Sequence, residues 1–357
     1  MPRYLLFALL MSALAGACAQ PARVTPAEPA STVTIMSFNV ENLFDNADDP
    51  QKNDETFLAL GDKQSDEHRA LCAPIPVDRW REQCLDWDWS DAIIERKLAV
   101  TAAAILQVND GRGPDIVALQ EVENLAILER LRKEYLQPAG YLPAILIEGQ
   151  DARGIDVAFL SRLPLAEPAM LRPVDFSGFP PERVADTRDI LEATFELPDG
   201  SRLTGYSVHF PAPFQPTGMR EAAYQELNRL RAALPADRPA FAAGDFNTSA
   251  AEDRELGLLD RYLRPNWTVS QDLGCDGCRG TTYYAQTDEW SYLDMVLWSP
   301  ARDRSKNATW SIRADSLRIA NGVPDQVRPD GTPWRFEMPG GTGVSDHWPV
   351  VVEIETK

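Results

Sequence analysis

The chain is poor in histidine, in cysteine and in positive charge, and it has no long apolar run. Three histidines and five cysteines in 357 residues leave little from which to build a structural zinc site, which needs paired cysteines or regularly spaced histidines. Lys and Arg number 35 against 54 Asp and Glu, a formal net charge of -19. That balance opposes general adhesion to polyanions, so any contact with nucleic acid has to be local or supported by metal ions. The apolar stretch near the start, Tyr4 to Ala17, is too short to cross a bilayer. There is no internal repeat. What remains is ordinary for a globular protein, since 44% hydrophobic and 25% charged residues are enough to bury a core, and sheet-rich folds of this size often stay in one domain.

Arg3 followed by the Tyr4 to Ala17 run, which ends in small residues, reads as an export signal over residues 1–19. Two processing routes fit it. Ala17-Cys18-Ala19 suits small-x-small cleavage, while Leu14-Ala15-Gly16-Ala17-Cys18 resembles the box in which bacterial lipoproteins are acylated, with Ala15 where leucine is usual. Cys18 is therefore a candidate for lipidation and a membrane tether. Residues 20–31, rich in Pro and Ala, read as a flexible linker, and residues 32–357 as one folded domain. The expected location is periplasmic, outer-membrane or secreted, with the chain monomeric. An oxidising compartment makes disulfides the natural fate of the four other cysteines, as the local pairs Cys72–Cys84 and Cys275–Cys278. Cys275-Asp-Gly-Cys278 also has metal-ligand spacing, but lacks the partners that a zinc site requires.

Short β-rich runs alternate with helical patterns. Thr32–Phe38, Asp115–Leu119, Ile155–Ser161, Ile190–Leu197, Arg202–Phe210, Ala240–Phe246, Tyr292–Ser299 and Trp348–Glu355 read as strands. Ile94, Leu98, Thr101 and Ile105 follow a helical period after Ser90, Met219 to Leu234 marks a second amphipathic helix, and Ser249-x-x-Glu252 supplies a capping box for a third. Pro198-Asp199-Gly200 predicts a hairpin, hence mixed sheets. Asp45 to Trp89 is acidic and poorly periodic, as expected of a surface insertion. Its cluster of Asp45, Asn46, Asp48, Asp49, Asp54 and Glu55 lacks the spacing of an EF-hand loop, so a solvated charged loop is favoured over a calcium site. Arg302 to Gly343 is rich in loops and its role is not evident from the sequence.

Five polar motifs stand at the ends of apolar strands: Ser37-Phe-Asn-Val-Glu41, Leu119-Gln-Glu-Val122, Val208-His-Phe210, Gly244-Asp-Phe-Asn247 and Ser345-Asp-His-Trp348. Each alone has a structural explanation: Glu121 as a helix cap, Asp245 and Asn247 as an Asx turn, a histidine as a packed side chain. Together they ask for more, because two of only three histidines fall within them and a buried polar group costs free energy unless a partner or ion satisfies it. If these strand ends meet, Glu41, Glu121, Asp156, Asp245, Asp294 and Asp346 crowd one cleft. Carboxylates so close raise one another's pKa unless a cation neutralises them. Oxygen ligands select a hard ion, magnesium or else manganese or calcium.

In these motifs and their order, residues 32–355 resemble the endonuclease/exonuclease/phosphatase superfamily, which includes deoxyribonuclease I, exonuclease III, abasic-site endonucleases, neutral sphingomyelinases and inositol polyphosphate 5-phosphatases. The resemblance implies a four-layered α/β sandwich, two mixed, mostly antiparallel sheets packed face to face with helices outside. It implies metal-dependent hydrolysis of phosphate esters. Glu121 of Gln120-Glu121 takes the place of the principal metal ligand, with Asn39, Glu41 and Asp346 grouped about the ion. Asp245 orients or deprotonates the attacking water, and Asn39, Asn247 and His347 contact the phosphate. Asp294 orients His347. His209, which abasic-site enzymes replace by tyrosine, is placed to protonate the leaving group, oriented by Asp156 unless Asp156 is a strand-entry turn residue. Arg153 and Arg220, with Arg183 and Arg188, are the cations nearest the motifs in sequence and the candidates for substrate binding. Nucleic acid is the leading substrate, and a phospholipid or sphingomyelin-type diester or a small phosphate ester the alternative. A lipid substrate calls for an exposed apolar loop, for which Phe176-Ser-Gly-Phe179-Pro and the region of Trp310 are the candidates.

Overall fold

The computed structural model describes residues 31–303, 305 and 310–356. The expected export signal, Cys18 and nearly all of the linker lie outside the described residues.

Nine principal strands form two sheets: β1 (Thr32–Leu43), β2 (Ile116–Val122), β3 (Asp156–Ser161), β4 (Leu165–Arg172), β5 (Ile190–Glu196), β6 (Arg202–His209), β7 (Ala240–Asp245), β8 (Asp294–Ser299) and β9 (Val350–Thr356). In the first sheet β9, β1, β2 and β3 lie side by side, flanked by the short strands Trp310–Ile312 and Ile145–Leu146. In the second the order is β4, β5, β6, β7, β8, with Thr268–Val269 at the edge. Each sheet has one parallel pair near its centre, β1 with β2 and β6 with β7, and antiparallel pairs elsewhere. A parallel pair needs a crossover, and helices supply it: Asp91–Leu106 lies between β1 and β2, and Thr217–Ala233 between β6 and β7. The hairpin expected at Pro198-Asp199-Gly200 joins β5 to β6, with Gly200 at φ +78°.

Side chains alternate across a strand with period two, and here the alternation sorts three cores. Met36, Phe38 and Val40 of β1 and Val117 and Leu119 of β2 point outward onto the helix Asp91–Leu106. Tyr206 and Val208 of β6 with Ala240 and Ala242 of β7 pack on Met219, Ala223 and Leu227 of the second crossover helix. The intervening residues, Val33 and Ile35, Ile116 and Ala118, Phe241 and Ala243, Val296 and Trp298, Val350 and Val352, face one another between the sheets. The result is the four-layered sandwich that the resemblance implied.

Eight of the nine principal strands and three helices lie where the sequence placed them. The edge strand β4 escaped notice because Pro168 and Glu167 interrupt its pattern. The ladder to β5 breaks register there, as an edge strand permits and a central one does not. Ser249 caps its helix by accepting from the Glu252 amide, but Glu252 turns to Arg220 and Thr217 instead of closing the reciprocal box. Ser90 makes no side-chain cap.

The acidic insertion is more ordered than its sequence suggests. Two short helices, Asp66–Cys72 and Asp78–Asp86, are joined by the disulfide Cys72–Cys84, with Cα atoms 5.8 Å apart. Their 7 and 9 residues are too few and too exposed to show a helical period. Phe57 stacks on Phe44 at 3.9 Å between ring centres, and the Trp89 indole donates to Phe44 O at 3.1 Å, so both ends of the insertion are rooted in the core. The second expected disulfide, Cys275–Cys278, is also formed, with Cα atoms 5.4 Å apart. The zinc alternative for this pair is thereby set aside.

Candidate active site

The space between the sheets is apolar over most of its length and turns polar at one end. Continuing Val33 and Ile35 by steps of two along β1 gives Ser37 and Asn39, and Ile116 and Ala118 along β2 give Gln120. Phe241 and Ala243 along β7 lead to Asp245, and Trp298 and Val296, read backwards along β8, lead to Asp294. On β6 the same face carries Leu203, Ser207 and His209. One alternation thus builds the core and, where the residue types change, the site. Register aligns the polar end: His209 pairs with Asp245 across β6 and β7, and Asp294 with Asp245 across β7 and β8. Gly244 has a geometric reason to be glycine, since a Cβ there would lie 1.9 Å from the carbonyl oxygen of Val208 on the neighbouring strand.

Asn39 joins the two sheets. Its Nδ2 stands 3.2 Å from Glu121 Oε1 on its own sheet and 3.2 Å from Asp245 Oδ2 on the other. Glu121 leaves the regular strand at φ +64°, which turns its carboxylate toward the site, and its Oε2 accepts from the Asn42 amide at 3.2 Å. Asn247, at φ +50°, donates its side-chain amide to Phe210 O at 2.9 Å, and its own backbone N–H goes to Asp245 Oδ1. The Ser345-Asp-His loop is fixed to β1 by Ser345 Oγ, which donates to Asn39 O at 2.8 Å and accepts from the His347 amide at 3.0 Å. His347 Nδ1 lies 2.7 Å from Asp294 Oδ2, as expected of an oriented histidine, and its Nε2 faces Asp245 Oδ2 at 3.9 Å. His209 Nε2 is 3.5 Å from the same Asp245 oxygen.

The electrostatics divide these groups. Burial pushes the Asp245 carboxyl up to about 7, aided by Asp294 and opposed by His347. Burial works against the charge of His347 too, but the Asp294 and Asp245 carboxylates beside it hold the imidazole well above its ordinary value. His209 goes the other way, lowered by burial and by Arg188, His347 and Arg153. The two histidines are thus driven in opposite directions, His347 toward the imidazolium and His209 toward the neutral ring. Burial disfavours ionisation of Glu121, yet Arg153, His347 and the Asn39 amide keep its carboxyl below the usual range.

Several expected site residues lie elsewhere in the network. Glu41 has both oxygens engaged, Oε1 by Arg335 Nε at 2.8 Å and Oε2 by the amides of Phe336 and Asp346 at 2.9 and 3.0 Å. It is a latch for the loop before β9, which leaves no open oxygen of the kind a ligand needs. Asp156 does not reach His209. Its Oδ1 accepts from the Gly149 amide at 2.9 Å at the entry to β3, beside Lys52 and Asp151, so the turn reading holds and Nδ1 of His209 is left buried without a partner. Arg220 is 1% exposed, pairs with Glu252 and donates to Pro211 O and Ala212 O. A buried, saturated guanidinium shapes the loop after β6 and is not available to substrate. Arg183 donates to Gln215. Arg153 remains near the site, donating to Asn42 Oδ1 at 2.7 Å, and Arg188 is held by Asp151 at 3.1 Å.

The sequence did not single out Lys97 or Arg335. Lys97 is fully buried beneath the site, its Nζ donating to Val40 O at 2.6 Å and Val344 O at 2.8 Å. Its one signal was a lysine on the buried stripe of an amphipathic helix. Arg335 sits in a loop without periodicity and gave none.

The comparisons with known proteins agree with this geometry. The sequence profile of the Endonuclease/Exonuclease/phosphatase family matches residues 36–347. Solved structures similar to the chain include a functionally unknown conserved protein from Enterococcus faecalis, 17% identical, covering 91% of this chain and 100% of that one with a TM-score of 0.55. An endonuclease/exonuclease/phosphatase from Beutenbergia cavernae is 16% identical, over 91% of this chain and 72% of that one, with a TM-score of 0.52. The D. rerio TDP2 complexed with single strand DNA product is 18% identical, over 91% and 100%, with a TM-score of 0.51. No curated protein sequence matches the chain. With the profile spanning every motif from β1 to His347, the chain belongs to the endonuclease/exonuclease/phosphatase family and is a hydrolase of phosphate ester bonds.

Proposed function

We propose that this hydrolase cleaves phosphodiesters with the help of Mg2+ or Mn2+, and that its substrate is nucleic acid met outside the cytoplasm. The observation that carries the reading is the Asn39 amide shared by Glu121 and Asp245 within reach of the His347–Asp294 pair. The residues grouped for the ion, Glu121, Asn39 and Asp346, offer oxygen alone, so they fit a hard divalent cation. Glu121 would hold it, with Asn39 and the partly exposed Asp346 alongside. Such an ion supplies neutralisation of the charge that grows on the phosphate oxygens.

The remaining work falls to this chain's own groups. Asp245, with a carboxyl poised near neutrality, takes the proton of an attacking water. The Asn39 amide fixes its carboxylate. The His347 imidazolium, held by Asp294, carries positive charge into the site and contacts the phosphate. Protonation of the leaving oxygen falls to His347 more naturally than to His209, whose ring burial and the nearby cations drive toward the neutral form. Arg153 and Arg188 provide the local positive field that a chain of -19 otherwise lacks.

A nucleic-acid substrate is favoured over a lipid by the surface. Of the apolar candidates for membrane contact, Phe176 and Trp310 are buried, each at 4% exposure, and Phe179 is half-buried. Phe214 is 71% exposed on the loop that follows His209 and that Arg220 braces, which suits stacking on a base. A panel of supercoiled DNA, single-stranded DNA, RNA, sphingomyelin, bis-p-nitrophenyl phosphate and p-nitrophenyl phosphate, with each metal in turn, tests the reading. Turnover of the lipid or only of the monoester, with no nucleic acid cut, overturns it.

A further inference from the structure

The insertion contains a second cluster of acids that the reaction does not use. Asp49, Asp54 and Glu123 each bring a carboxylate oxygen to within 4.8 Å of the others. Two of them are nearly sealed from water, Asp54 at 1% exposure and Glu123 at 3%. Hydrogen bonding accounts for only part of this arrangement. Asp54 Oδ2 accepts from the Asp49 amide at 3.0 Å and Glu123 Oε2 from the Asp45 amide at 2.7 Å. The other Asp54 oxygen, Oδ1, is buried with no partner.

The charges around the cluster do not relieve it. Those acting most strongly on Asp54 belong to Asp48 and Glu55, and those on Glu123 to Asp45, Asp54 and Asp49. Lys52, the nearest lysine in sequence, turns its Nζ to Gly149 O and Asp151 O. Carboxylates packed this closely with an orphaned buried oxygen require a proton or a cation between them. The oxygens come from a loop and a strand end, and such a set suits calcium, which accepts six to eight oxygens in adaptable geometry, better than magnesium with its strict octahedron.

We propose that Asp49, Asp54 and Glu123 form a calcium site, separate from the catalytic acids, that fastens the start of the insertion to the end of β2. The placement gives the ion a task. Asn42 N bonds Glu121, Glu123 N bonds Leu43 O, and Asp45 N bonds Glu123. The calcium rung therefore continues the ladder that holds Glu121 in its left-handed conformation.

The test uses the full chain carrying Glu121→Gln, so that the catalytic acid is not the source of binding. After removal of metal by EDTA and dialysis, titration calorimetry with CaCl2 is expected to show one ion per chain, and saturating calcium to raise the melting temperature by about 5 °C. Asp54→Asn or Glu123→Gln in the same background removes both signals. Should those buried variants fail to fold, Asp49→Asn, on the half-exposed side, is expected to weaken calcium binding at least tenfold. No calcium uptake at millimolar concentration by the Glu121→Gln protein, equal affinity in all variants, or a preference for magnesium overturns the assignment.

Discussion

Asn39 Nδ2 lies 3.2 Å from both Glu121 Oε1 and Asp245 Oδ2, so one amide group ties together acids carried by different sheets. Without it the two carboxylates lose a shared donor and repel. Asn39→Ala is expected to lower kcat by about a hundredfold and to shift the metal titration to higher concentration. A normal rate with a normal titration assigns the bridge no part in the reaction.

His347 depends on Asp294 for both its orientation and its charge. His347→Ala and Asp294→Asn are each expected to reduce turnover by about a hundredfold, and the double variant to be little worse than either, because the pair acts as a unit. Multiplying losses in the double variant would show two independent roles. Circular dichroism of each variant separates these effects from misfolding.

Stability of the metal-free protein is expected to fall as pH rises. Burial raises the carboxyls of Asp54 to about 6, Asp245 to about 7 and Glu123 to about 8, all above their unfolded values. Between the unfolded and folded pKa the native state binds more protons than the unfolded chain, and by linkage its stability drops across the window from about pH 4 to 8. Melting in EDTA at pH 5.5 is therefore expected at a higher temperature than at pH 8. Added calcium and magnesium should flatten the difference. The reverse order at the two pH values contradicts the burial argument.

Phe241 sits between the sheets against Phe159 and Phe195, with ring centres 6.0 and 6.2 Å away. Gly205 opposite leaves room for the ring, since a Cβ there would lie 2.4 Å from it. Phe241→Ala is expected to cost about 3 to 5 kcal/mol in denaturant unfolding. A loss below about 1 kcal/mol would mean that the sheets close over the gap.

If nucleic acid is the substrate, few phosphate contacts are available on a chain of -19. The KM for DNA is expected to depend on salt with a log-log slope of about 2 to 4 or less, and Phe214→Ala to raise it without altering hydrolysis of a small diester. A steeper slope would reveal a basic face, and an unchanged KM would remove Phe214 from the binding surface.

Most of the site was legible in the sequence because its residues continue a strand alternation and only their chemistry changes. Asp245 and Asp294 stand two residues past the apolar Ala243 and Val296 that face the same way, and Asn39 and His209 two past Ser37 and Ser207 on faces whose earlier residues, Ile35 and Leu203, are apolar. Residues whose role depends on tertiary partners were not legible in this manner. Arg220 and Asp156 lay near motifs in sequence, but proximity along a chain does not say where a guanidinium or carboxylate turns, and both turned inward to structural partners. Glu41 matched a motif position, yet Arg335, 294 residues away, determines what it does. The anchoring of the surface insertion was not legible because Phe57 and Trp89 are single anchors with no period to announce them.

The pairing of β1 with β9 runs from Thr32 opposite Glu355 to Ser37 opposite Val350. A ribosome delivers these partners at opposite ends of the described residues, so β1 keeps an open edge until β9 is made. Asp346 and His347 arrive with that closing strand. The set proposed for catalysis is therefore completed late, and a nascent or prematurely ended chain that stops before Ser345 is expected to be inert toward any phosphate ester around it. Activity itself becomes a report that synthesis has run through to the closing strand.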